Sequence, residues 1–125
     1  MRVISLNVNG IRSAERKGLS RWLQKAAGPW DVLCVQELKA GHDDIPDSLR
    51  APQGAVSFFH PAQKKGYSGV GLYLRRAPDK VRHGFGHKEF DGEGRYLQAD
   101  FGNLSIISLY QPSGSSGPER QAAKF

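Results

Sequence analysis

Val32-Leu33-Cys34-Val35 is an unbroken apolar run that ends abruptly in Gln36, Glu37, Leu38 and Lys39. So short a run, with no polar residue alternating through it, reads as a strand buried on both faces. Such a strand needs a packed layer above it and another below. Two other apolar strands also finish in polar groups. Val3-Ile4-Ser5-Leu6 runs into Asn7-Val8-Asn9-Gly10, and Leu104–Leu109 runs into Tyr110-Gln111-Pro112-Ser113. In sheets layered with helices, ligand sites form where strand ends converge. Together these ends could hold a divalent cation and a phosphate.

The rest of the chain supplies the layers. Leu19, Trp22, Leu23 and Ala26 recur at helical spacing, with Arg21 and Lys25 on the opposite face and Gly28-Pro29 as the stop. Trp22 is expected in the core. Val56–His60 and Gly69–Leu74 read as strands, and a short helix is expected around Asp47–Arg50. Asp91-Gly92-Glu93-Gly94 reads as a turn, and Arg95–Phe101 alternates in polarity. Gly102-Asn103 then gives a two-residue hairpin signal before the last strand. Several strands with few helices between them predict an α+β sandwich with mixed or antiparallel pairing. Ser115–Arg120 has the marks of a helix start, and the helical pattern reaches Phe125 with no stop signal.

A chain of 125 residues predicts one domain, spanning residues 1–125. No apolar stretch approaches the roughly 18 residues needed to cross a bilayer. The start enters a strand without a signal-peptide pattern, so a cytoplasmic location is the expectation. Cys34 is the only cysteine, which excludes an internal disulfide and a cysteine-rich zinc site. Its place in an apolar strand predicts a buried, inert thiol. The net charge of +6 is unevenly spread. Residues 1–30 carry six basic side chains against Glu15 alone, and residues 60–88 carry seven against Asp79 alone. The intervening residues 31–50 are acidic. Two basic regions around an acidic one suit a polyanion held beside a metal site.

Five motifs in order then resemble one family. They are Asn7-Val8-Asn9-Gly10-Ile11-Arg12, Gln36-Glu37-Leu38-Lys39, Lys65-Gly66-Tyr67-Ser68-Gly69-Val70, Glu93-Gly94-Arg95 and Tyr110-Gln111-Pro112-Ser113. The chain resembles the exodeoxyribonuclease III group of abasic-site endonucleases, within the endonuclease/exonuclease/phosphatase superfamily. The likeness spans nearly the whole chain but about the first half of the family's domain. It implies a four-layer α/β/β/α sandwich. It also implies a Mg²⁺-dependent phosphodiesterase, with Mn²⁺ as a substitute, acting on double-stranded DNA at abasic sites and 3′ ends. The full-length form is expected to be a monomer.

By the same resemblance Glu37 is the metal carboxylate and Asn7 lies beside the metal and the scissile phosphate. Asn9 would hydrogen-bond nearby, Lys39 would offset phosphate charge, and Tyr110 would aim its phenol at the phosphate. Arg12, Lys17, Gly66, Tyr67, Ser68 and Ser113 match positions that grip the DNA backbone, with a weaker contact from Arg120. Two positions depart from the family's pattern. Asn9 stands where many members carry aspartate, and Ser113 where members often have an amide. His42, His60, His83 and His87 match no catalytic histidine and read as surface or structural. The family's remaining catalytic residues belong to the second half, so little or no nuclease activity is expected of these residues alone. Two other readings stay open at this stage: a phosphodiesterase or phosphatase with a non-DNA substrate, and a non-catalytic DNA-binding remnant.

Overall fold

The computed structural model describes residues 1–111 apart from Lys65 and Phe85, and apart from the side chain of Phe90. Ser113, Arg120 and the expected terminal helix lie outside the described residues. The elements run β1 (Val3–Asn7), α1 (Ile11–Arg16), α2 (Leu19–Gln24), β2 (Val32–Gln36), β3 (Val56–His60), β4 (Val70–Leu74), β5 (Lys80–His83), α3 (Lys88–Asp91), β6 (Tyr96–Phe101) and β7 (Leu104–Leu109). Three single 3₁₀ turns, one of them Asp47–Leu49, fill the connection between β2 and β3.

Two sheets form. The first has the order β1-β2-β4-β3 and the second β5-β6-β7. β1 and β2 pair in parallel, and every other pair is antiparallel. β2 and β4 sit at the centre of the first sheet and are buried along their whole length. The pleat splits β2 between two cores. Leu33 and Val35 face Ile11, Leu19 and Leu23 from the helices, while Val32 and Cys34 face Leu97, Ala99 and Ile106 of the second sheet. Helices, first sheet and second sheet therefore stack in that order, and the α+β class follows. Burial pushes the Cys34 thiol up to about 11, which makes it inert at neutral pH.

The expected helix forms as α2 but ends two residues short of Ala26. Gly18, at φ 99°, breaks the chain between α1 and α2, and Lys25 leaves helical geometry. Ala26 therefore falls out of phase, and Ala27 is the buried alanine. Trp22 is 39% exposed rather than core, and Trp30 is the tryptophan buried in the cluster between the helices and the first sheet. Among the described residues no helix is long and apolar enough to cross a membrane.

Candidate active site

The register brings one end of each sheet together. Asn7 pairs with Gln36, and Gln36 and His60 both pair with Val70, so β1, β2 and β3 finish level with the start of β4. The second sheet is fastened at the same end. Ser108 donates to the Val35 carbonyl at 3.1 Å, and the Gln36 amide reaches Ser108 Oγ at 3.4 Å. This buried polar bridge sets β7 against β2, so Tyr110 emerges over Glu37. The Tyr110 hydroxyl donates to Glu37 Oε1 at 3.2 Å.

Past β2 the backbone is clamped from two sides. Gly10 N–H donates to the Glu37 carbonyl at 2.8 Å and Ile11 N–H to the Leu38 carbonyl at 2.9 Å. From the other side Leu38 N–H donates to Gly69 and Lys39 N–H to Ser68, at 3.0 and 2.8 Å. These bonds hold Glu37 (φ 56°) and Lys39 (φ 52°) in left-handed conformations, as are Asn9 and Ser68. Left-handed backbone at non-glycine residues persists only where the surroundings over-determine it, and it collects at functional sites.

The side chains follow this frame. Asn7 Oδ1 accepts the Asn9 backbone N–H at 2.9 Å, which folds the turn back over the strand end. Asn9 Oδ1 accepts the Lys39 ammonium at 2.6 Å, so Lys39 pairs with Asn9 rather than with Glu37. Burial and the Glu37 carboxylate push the Tyr110 phenol above its usual value, with Arg95 opposing them. At neutral pH the phenol is therefore protonated and a hydrogen-bond donor.

A sequence profile described as the Endonuclease/Exonuclease/phosphatase family matches residues 4–124. The chain belongs to this family. An exodeoxyribonuclease of Bacillus subtilis (strain 168) is 36% identical over 124 residues, covering 96% of this chain and 46% of that protein. The DNA repair nuclease APEX1 of Danio rerio is 33% identical over 119 residues, covering 94% of this chain and 38% of its own length. Among solved structures, the 3′-5′ exonuclease NExo from Neisseria meningitidis superposes with a TM-score of 0.81 at 25% identity. An AP endonuclease from Archaeoglobus fulgidus gives 0.79 at 26%, and each of these matches covers 99% of this chain and 47% of the other. The chain thus spans about half the length of these relatives, or less.

Within this family member, the residues expected to serve chemistry and those expected to grip DNA span the same range of exposure, Asn7 and Asn9 being as open as Arg12 and Lys17. Asn7, Asn9, Glu37, Lys39 and Tyr110 share one rim. Arg12 and Lys17 are exposed at the two ends of α1, Lys17 beside a groove shared with Asn7, Leu6 and Trp22. Gly66 is exposed and Tyr67 half-buried. Ser68 is 3% exposed and donates to the Gly94 carbonyl, so its hydroxyl faces into the protein. His60 bonds the Asp91 carbonyl at 2.9 Å and stacks edge-on to His83, which fits a structural role.

The donor set suits a hard cation. Glu37 offers a carboxylate of which the Tyr110 bond engages one oxygen, and the Asn7 amide lies at the neighbouring strand end. Among the described residues no group of three or more His, Cys, Asp or Glu could hold a metal. Zinc would require such a group, whereas Mg²⁺ keeps several waters and takes one or two carboxylates. Sequence reasoning gave no role to Arg95, which the structure buries beside both Tyr67 and Tyr110. Its place in the Glu93-Gly94-Arg95 motif was the available signal.

Proposed function

We propose that these residues form the N-terminal half of a DNA-repair nuclease site. The reaction is hydrolysis of DNA phosphodiesters 5′ to abasic sites, with 3′-to-5′ exonuclease or 3′-end trimming. The observation that carries this reading is the protonated Tyr110 phenol over the Glu37 carboxylate, at the meeting point of three strand ends. Glu37 and Asn7 would hold Mg²⁺, or Mn²⁺ in its place. When bound, the ion supplies neutralisation of charge on the phosphate.

The chain's own groups do the rest of their half. Tyr110 donates a hydrogen bond to a phosphate oxygen where negative charge builds in the transition state. Lys39, fixed by Asn9, places an ammonium beside that charge. Arg12, Lys17, Gly66 and Tyr67 position double-stranded DNA through its backbone rather than its sequence, a role to which Ser113 would add and for which the buried Ser68 only shapes the loop. The base that orients the attacking water belongs to the other half of the domain, which in full length acts as a monomer. The chain alone is therefore expected to bind abasic duplex without cutting it.

The test pairs nicking of a duplex bearing one synthetic abasic site, with and without Mg²⁺, with anisotropy binding of the same duplex. Salt-sensitive binding without cleavage is the expected result. Mg²⁺-dependent nicking lost in Glu37→Gln would establish the nuclease and overturn the half-site claim. Failure to prefer the duplex over heparin would sink the DNA reading.

A further inference from the structure

We propose that Arg95 is a positioning residue whose guanidinium ties Tyr67 and Tyr110 into one rigid unit at the rim of the site. The inference deepens the reading above and takes its functional meaning from it. Arg95 is 1% exposed, a cation held almost wholly out of water. Its Nε donates to Glu93 Oε2 at 2.6 Å, and its Nη2 donates to the Tyr67 hydroxyl at 2.5 Å. The guanidinium carbon lies 5.5 Å from the centroid of the Tyr67 ring and 5.2 Å from that of Tyr110. The Arg95 carbonyl also accepts the Tyr110 backbone N–H at 3.0 Å. One residue thus touches both tyrosines, and Tyr110 through ring and backbone together.

Stability alone does not explain such a residue. Nη1 is buried with no hydrogen-bond partner among the described residues. A buried ion pair is commonly matched or bettered by apolar residues of similar volume, and an unsatisfied buried donor weakens the case further. What arginine uniquely supplies here is a planar fork with fixed donor directions and a face that packs on aromatic rings. Lysine offers one point charge and no plane. The segment carrying Arg95 is itself tied to the Glu37 loop. Gly69 N–H donates to the Gly94 carbonyl at 3.0 Å, and Ser68 and Gly69 accept the backbone of Lys39 and Leu38. The Tyr67 hydroxyl is engaged inward by Arg95, and the Lys64 ammonium lies 5.8 Å from the centroid of its ring. Tyr110 keeps its phenol on Glu37 because its ring rests on the guanidinium.

The experiment labels the 125-residue chain with ¹³C-tyrosine and measures ring-flip rates from NMR line shapes. Arg95→Lys keeps a positive charge near Glu93 but loses the fork. It is expected to speed flipping of Tyr67 and Tyr110 by roughly tenfold or more, while Tyr73 keeps its rate. Tyr67→Phe, which removes the hydroxyl that Nη2 holds, is expected to speed Tyr110 with Tyr73 again unchanged. Should Arg95→Lys fail to fold, Tyr67→Phe carries the test. Unchanged Tyr110 flipping, or acceleration of Tyr73 by the same factor, overturns the proposal, the second because it signals general loosening. Neither DNA nor metal enters the measurement, so its failure is distinct from failure of the nuclease reading.

Discussion

Lys39 shows at the level of one residue how the site is held. Its left-handed backbone (φ 52°) is costly for a side chain with a Cβ, by about 1–2 kcal/mol. Glycine would relieve that cost and give back about 0.5–1 kcal/mol in chain entropy. Lys39→Gly is therefore expected to raise unfolding free energy by up to about 1 kcal/mol in urea titration, while Lys39→Ala does not. Both variants should weaken binding of abasic duplex, since each removes the ammonium. A second backbone position gives the opposite sign. A Cβ on Gly94 (φ 62°) would meet the Ala62 nitrogen at 2.5 Å and the His60 carbonyl oxygen at 2.7 Å, both backbone atoms that cannot swing aside. Gly94→Ala should cost on the order of 2–4 kcal/mol, read as a drop in the urea midpoint without change in slope. Residue types at the strand ends were legible in the sequence, because Glu37 and Tyr110 directly follow apolar runs that read as strands, the first buried throughout and the second on one face. Arg95 was not, since charged residues are almost never fully buried and composition places them on the surface. Nor were the left-handed conformations of Glu37 and Lys39, which the tertiary clamp imposes.

Among the elements, the ends of β3 and β5 carry a pH dependence. Partial burial, then the charges of His60 and His42, holds His83 below the usual histidine value. Its unfolded counterpart takes up a proton first as pH falls. The associated stability is present above about pH 6.5 and is lost as pH falls from there to the lowered folded value. The contribution is small, because the side chain still reaches solvent. Urea midpoints at pH 7.5 and 5.5 should differ less in His83→Gln than in the parent chain, and an equal difference would contradict this assignment. β5 is also the strand that the sequence did not reveal. Lys80–His83 has a single apolar residue, Val81, and becomes a strand by pairing with β6 from Asp100 to Leu97. By contrast Val56–His60 and the β6–β7 hairpin were readable, because apolar residues or a two-residue turn marked them locally. The helix expected over residues 19–26 forms as α2 from Leu19 but stops at Gln24. Periodicity showed an apolar face but not the left-handed break at Gly18 or the early exit at Lys25.

At the scale of the molecule, the outer face of the second sheet sets how the chain behaves in solution. Among the described residues β7 is an edge strand, and its Ile107 and Leu109 are 44% and 43% exposed on the side away from the core. Along β6 they face Gln98 and Tyr96. An edge strand with unpaired backbone groups and adjacent apolar side chains is a template for association between copies. β7 itself carries no charged side chain, and Arg82, two strands away in the row of Ile107, is partly offset by Asp100. Light scattering of this chain should therefore rise with concentration at neutral pH. Replacing Ile107 and Leu109 together by lysine should suppress that rise by placing two like charges on the edge. The thermal midpoint should move little, since neither side chain belongs to the buried clusters that hold the sheets together. If the double variant instead melts well below the parent chain, these residues support the fold. If scattering is unaffected, the association surface lies elsewhere, and β1, whose Val3 is 49% exposed at the other sheet's edge, becomes the strand to charge next.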